Sequence, residues 1–465
     1  MVQLLLIVAI AAVHLGDAAG VHLVRWSAGT VWLAAWLPPL ILWLGFHLLA
    51  RRCGRRMDEL GDGGALRLAD TAMSRLRITG VCWHVFCIFG LGWAGAVRGL
   101  TGNLILIDEA LMLAPVLGLF SALWWSFYPL DLRAREAVLR RQLQAGAVYP
   151  PLSRVQYVAS CIRHQALLVL VPILLFTLWG ESADAIAAHI TTPLRWEQVG
   201  PWVRSAGLAV VLVLSPAILR IAWNTVRIGP GEVDAQSRAM MRRYGVRVRG
   251  PYLWRTHGAM VNGAILGIIY PLRYLLLTDA LLDQIDSRHL DGVLAHEVAH
   301  VKKRHLYWLA AAPIAAILLA GWASALIGYF AHIRPESLWL ELGASVGALV
   351  AAGLALGYVS RRFEWQADAF AARHLSETAG SETITPDAAY TMSGALQSVA
   401  DLNGIPIARF MWRHGSIATR QYRLSDLIGL PVDALPIDAQ VRRIKFIIAL
   451  ALLAGIVPFL WQLLT

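Results

Sequence analysis

The chain has 465 residues, 57% of them hydrophobic and only 15% charged, with a mean hydropathy of +0.57. That composition excludes an ordinary soluble domain and points to an integral membrane protein. The net charge of +11 is almost all arginine, and in so apolar a chain the positive-inside rule explains it better than nucleic-acid binding.

In chain order, nine stretches are apolar and long enough to predict membrane-spanning helices: roughly 2–17, 30–50, 78–97, 108–128, 164–180, 204–223, 306–330, 339–359 and 445–464. Several of the 19 tryptophans stand at the ends of these runs, as interfacial belts require. Four cysteines, Cys53, Cys82, Cys87 and Cys161, form no CxxC pair and read as free thiols. His47 and His84 fall inside spans and are expected to face the bundle. Asp108 and Glu109, at a span end, read as interfacial.

Arginine and lysine set the topology. The segments 51–77, 129–165, 224–305 and 360–445 hold 35 of them, and the alternate loops five. The rule makes the richer side cytoplasmic. The amino terminus is then expected inside.

Within 224–305 lies His296-Glu297-Val298-Ala299-His300, an HExxH pattern. On a helix, i and i+4 share a face, so both imidazoles can meet one metal ion, with Glu297 beside them as a base for water. A solvated helix that merely carries two histidines is the alternative. Asp286 or Ser287 is the expected helix start, and Lys302-Lys303-Arg304 keep the motif at the cytoplasmic interface rather than at mid-bilayer. His305 does not fit the HExxHxxGxxH spacing, so no ligand role is expected for it. The hairpin 306–359 then returns the chain to the same side at Ser360-Arg361-Arg362-Phe363-Glu364-Trp365-Gln366-Ala367-Asp368. Glu364 suits a third zinc ligand. Asp368, one turn on, suits a hydrogen-bond acceptor for a ligand histidine. Two solvated acids on an amphipathic helix would give the same pattern.

HEVAH, a helical hairpin and then SRRFEWQADAFA resemble the integral-membrane zinc metallopeptidases that include CAAX prenyl protease 1 and the heat-shock protease HtpX. The wording and the length are closer to the CAAX prenyl protease 1 branch. The likeness covers about 250–425 and is carried by HExxH and a downstream E-x-x-A-D signature. It implies one zinc per chain held by His296, His300 and Glu364, with Glu297 as the base. It also implies that the segment around Asn262, Gly263 and Ala264 is a strand binding substrate backbone. Gly263 stands where the family usually has alanine. His414-Gly415-x-x-x-x-Arg420 resembles the family's H-P-x-x-x-x-R segment, with glycine in place of proline. By that resemblance His414 stabilises an oxyanion and Arg420 orders the site.

The expected fold is mainly α: a polytopic helical membrane protein of about nine spans with a zincin-like α+β metalloprotease domain at the cytoplasmic face. The expected parts are 1–223, an N-terminal transmembrane region of about six spans, and 224–305, the first part of the protease domain. A transmembrane hairpin follows at 306–359, then the second part of the protease domain at 360–444 and a last span at 445–465. The expected activity is a zinc-dependent endopeptidase (gluzincin type) acting on membrane-associated or misfolded proteins or peptides. Its partners would be the lipid bilayer and a protein or peptide substrate, with no nucleic acid. An Ala- and Arg-rich composition suggests a bacterial inner membrane. Three other readings compete, one of them a sensor-transducer, which would need an attached extracellular receptor domain. A site-2-type intramembrane protease would place HExxH within a span and use aspartate as third ligand. A proteolytically silent scaffold or transporter-like protein would keep the fold without cleavage. Substrate identity, prenylation dependence and oligomeric state have no signature in the residues.

Overall fold

The structure, a computed structural model, describes residues 2–19, 26–102, 104, 106–142, 152–190, 192–334 and 337–464. Internal contacts divide the chain into two units, Met1–Asn224 and Thr225–Thr465.

The first unit is helical throughout: α1 (Val2–Ala19), α2 (Ala28–Leu60), α3 (Gly63–Leu91), α4 (Trp93–Thr101), α5 (Ile107–Gln142), α6 (Arg154–Cys161), α7 (Leu167–Ile190) and α8 (Pro193–Ala222). Local chemistry sets the helix ends. Ser27 caps α2 by accepting from the Thr30 N–H, and Gly61, with φ of 62°, ends it in the left-handed region. Gly92, with φ of 73°, breaks the expected 78–97 span into α3 and α4, which meet at 74°. Its core is large and apolar, with Phe46, Trp93, Met112, Phe120 and Leu123 fully enclosed. Asp108 and Glu109, at the start of α5, are buried against the bundle. Arg98 reaches them at 3.0 and 3.7 Å, in the first turn of α5, where the helix dipole favours acids.

The second unit holds a four-stranded sheet of order β1-β2-β4-β3: β1 (Thr225–Arg227), β2 (Arg249–Trp254), β3 (Gly263–Leu266) and β4 (Tyr274–Thr278). β4 is central, parallel to β2 and antiparallel to β3, and all five of its residues are buried. An uninterrupted Leu275-Leu276-Leu277 run is what a strand covered on both faces needs. β3 is an edge. At its end Gly267 has φ of +102°, and a Cβ there would lie 2.0 Å from the Leu272 carbonyl oxygen, so only glycine fits the turn.

Three helices pack on the sheet, α9 (Glu232–Tyr244), α10 (Asp279–Gln284) and α11 (Ser287–Lys302), and the rest of the unit is α12 (His305–Phe330), α13 (Leu338–Thr378), α14 (Pro386–Leu402), α15 (Ile417–Ser425) and α16 (Pro436–Leu464). α12 and α13 form the expected hairpin. α13 runs unbroken for 41 residues, carrying the chain from the apolar arm into the Glu364–Asp368 stretch.

Among the described residues, six helices are long and apolar enough to cross a membrane, or seven if the bent α3–α4 pair is one span. They account for the expected spans from 30 to 359. The described apolar part of α1, Val2–His14, is shorter than a span needs. The last expected span, 445–464, is helical, with the side chains of 456–464 outside the described residues. All four cysteines are free.

Candidate metal centre

α11 starts where its sequence puts the cap. The Asp286 side chain accepts from the Arg288 and His289 N–H groups at 3.0 and 2.9 Å. Ten residues on, His296 and His300 point from one face with their Nε2 atoms 3.2 Å apart. α13 brings Glu364 against them, its carboxylate oxygens 3.6 Å from His296 Nε2 and 3.9 Å from His300 Nε2. The three ligand atoms all lie within 4.8 Å of one another. Donors about 2.0–2.1 Å from a tetrahedral zinc stand about 3.3 Å apart, so this set fits such an ion. The electrostatics agree. Although burial opposes its charge, Asp368 and Glu364 raise His296 to about 10, while burial lowers His300 to about 3. The donor set favours one positive charge at its centre.

Each ligand is oriented by a partner. His296 Nδ1 is 3.0 Å from Asp368 Oδ1. His300 is oriented by a longer chain of contacts. The Asp438 carboxylate, itself accepting from Lys303 Nζ at 2.9 Å, can only accept, so the Gln366 Nε2 faces it and donates. Gln366 Oε1 then faces His305 Nε2 at 2.8 Å, which must donate. That leaves His305 Nδ1 bare, and it accepts from His300 Nδ1 at 3.0 Å. The His300 lone pair is thereby directed to Nε2, the atom at the centre. His305 is fully buried and stacked on Phe363, ring centroids 4.3 Å apart. Replacing Gln366 with Leu is expected to weaken zinc binding by about 10–100-fold while cleavage returns at saturating zinc. Chelator competition measures this, and an unchanged zinc affinity would remove the relay from the account.

Arg420 of α15 ties the carboxylates together. It is buried, donates to both oxygens of Asp368 at 2.7 and 2.6 Å, and lies 3.3 Å from Glu364 Oε2. Burial works against its charge, but Asp368 and then Glu364 more than restore it. His414 is half-exposed, with Nδ1 3.1 Å from Glu364 Oε1. The glycine after it is explained locally. Gly415 has φ of +76° and donates its N–H to the Met411 carbonyl at 2.7 Å. Proline could do neither.

Glu297 faces β3. Asn262 turns its carbonyl to β4, accepting from the Thr278 N–H at 3.0 Å. Alternation therefore turns the Gly263 and Ile265 backbone outward, and the Ile265 N–H donates to Glu297 Oε2 at 3.0 Å. Gly263 permits this approach: a Cβ there would meet Val293 Cγ1 at 3.1 Å and Glu297 Cγ at 3.6 Å. Burial pushes the Glu297 carboxyl up to about 7. One step back, the Asn403 amide bonds both the N–H and the C=O of Val261, occupying the edge as a strand partner would. The strand edge left beside Glu297 is therefore short.

Thus His296, Glu297, His300, Glu364, Asp368, His414, Arg420 and the Asn262–Ala264 segment converge on one region. His305, Gln366, Asp438 and Asn403 were not anticipated. Each acts through a partner far along the chain, and no local spacing signals that.

Residues 232–427 match Peptidase family M48. A protease HtpX homolog from Aeropyrum pernix is 31% identical over 213 residues, which is 43% of this chain. The match spans 65% of that relative's length. The crystal structure of S. mikatae Ste24p superposes with a TM-score of 0.47 at 15% identity, covering 84% of this chain and 98% of that one.

Proposed function

We propose, from the Peptidase family M48 domain that this chain carries at 232–427, that it is a membrane-embedded zinc endopeptidase. Its substrates would be membrane-associated or misfolded proteins or peptides. The observation that carries the reading is the convergence of His296, His300 and Glu364 within 4.8 Å, beside a buried Glu297 and a strand edge.

His296, His300 and Glu364 would hold the ion. When bound, zinc supplies a Lewis acid toward water and a scissile carbonyl, and a water pKa near about 7. Glu297 takes the proton of the attacking water and returns it to the leaving amine. A carboxyl near 7 is suited to both transfers. The outward N–H and C=O of Gly263 and the C=O of Ile265 hold the substrate extended by strand addition. His414 donates to the carbonyl oxygen as charge develops there. Arg420 and Asp368 act on the ligands, not on substrate.

The arginine distribution supports a cytoplasmic active site, and the composition supports a bacterial inner membrane. The site-2-type reading loses support because the aspartate nearest the histidines, Asp368, is engaged by Arg420 while Glu364 faces the centre. The experiment uses the full chain purified in detergent. The expected result is about one zinc per chain, with casein cleavage abolished by chelator and restored by zinc. A chain that binds no zinc overturns the ligand assignment, and one that binds zinc but cuts no unfolded protein or peptide favours the silent scaffold.

A further inference from the structure

We propose that a cavity in the first unit binds the phosphate of an anionic phospholipid headgroup. The cavity has a volume of about 700 Å³ and is walled by Arg51, Arg52 and Arg55 of α2, Trp125 and Arg133 of α5, and Arg154 of α6. It lies where α2 changes abruptly from the apolar run Ala28–Ala50 to Arg51-Arg52-Cys53-Gly54-Arg55-Arg56. That change is where a span leaves hydrocarbon and meets the headgroup layer.

The charges on the wall are unequal in their commitments. Arg133 is held by Asp58 through two bonds of 2.7 and 2.8 Å. Arg154 stands over the Trp125 and Tyr128 rings at 5.2 and 5.6 Å. Arg51, Arg52 and Arg55 have no acidic partner among the described residues. Of the nearby acids, Asp62 is held by Arg56, Asp131 by Arg135 and Asp58 by Arg133, while Glu59 and Glu136 form no ion pair with Arg51, Arg52 or Arg55. Arg51 and Arg55 are one helical turn apart, an arrangement that costs energy unless an anion sits between such charges. Guanidinium groups pair with phosphate oxygens in a bidentate manner.

The remaining wall separates a lipid from a free anion. Leu48, Leu130 and the indole of Trp125 line the same cavity, so an acyl chain can leave it along the apolar surface of α2. Leu48, 58% exposed, and Leu44, 46% exposed, continue that surface away from the arginines. Basic pockets between spans on the arginine-rich side are suited to anionic headgroups, with each arginine worth about fivefold in binding.

The test is lipid retention by the full chain in detergent, read by native mass spectrometry together with thermal unfolding. The probes are dioleoyl-phosphatidylglycerol, dioleoyl-phosphatidylcholine and inorganic phosphate. The wild type is expected to retain phosphatidylglycerol and to unfold at higher temperature in its presence, with no response to phosphatidylcholine or to inorganic phosphate at the same concentration. R51Q/R52Q/R55Q is expected to lose retention by about 10²-fold, and R55Q alone by about fivefold. The single change serves if the triple variant fails to fold. R67Q/R75Q, which removes arginines outside the cavity, should retain lipid as the wild type does. Equal retention by R55Q and the wild type overturns the proposal. So does equal loss in R67Q/R75Q, which would mean diffuse surface charge, and so does an equal response to inorganic phosphate, which would mean a free-anion site.

Discussion

Glu297→Gln is expected to leave zinc bound and to lower kcat for peptide cleavage by about 10²–10⁴-fold. The side chain keeps its size, and its amide oxygen can still accept from the Ile265 N–H, so β3 and α11 keep their spacing. His296, His300 and Glu364 are untouched. On the proposed mechanism, what is lost is the ability to take a proton from water and hand it to the leaving amine. Burial, the main reason this carboxyl sits near 7, is what suits it to that transfer. Zinc stoichiometry and casein cleavage, measured on the same preparation, separate the base from the ligands. Cleavage at the wild-type rate would place the base elsewhere.

Arg420→Leu is expected to destabilise the second unit by about 3–5 kcal/mol, the cost of leaving a buried charge without its partner. Asp368 would lose both charge-assisted bonds, and Glu364 its nearest cation from α15. Arg420 and Asp368 are both buried, so solvent cannot take over. At that cost the unfolding temperature drops by roughly 6–20 °C. Zinc binding weakens as well, because Asp368 orients His296. Arg420→Lys keeps the charge but not the planar fork, so it recovers only part of the loss. Unfolding of the Leu variant at the wild-type temperature would show that α15 contributes nothing to the site.

Much of the site was legible because its first layer is local. HExxH places two imidazoles by helical period alone, and Asp286 caps that helix with its own side chain. Glu364 was reachable because a hairpin must return to its starting side. The resemblance drew in His414 and Arg420, and the structure brings both to Glu364. The span count was less legible. A hydropathy run crosses 78–97 without interruption, and nothing in the apolar pattern says that Gly92 adopts a left-handed turn there.

The sequence by itself determined the membrane class, the segregation of the arginines into alternate segments, the hairpin and the pattern of candidate ligands. These follow from composition, period and topology, which are properties of consecutive residues. Only the tertiary structure decided how the ligands are oriented and what surrounds them. His305 meets Gln366 across 61 positions, Gln366 meets Asp438 across 72, Arg420 meets Asp368 across 52 and Asn403 meets Val261 across 142. The wall of arginines likewise comes from three separate helices. Such pairs are set by packing over the whole unit, and a side chain's hydrogen-bond partner leaves no mark on the residues beside it.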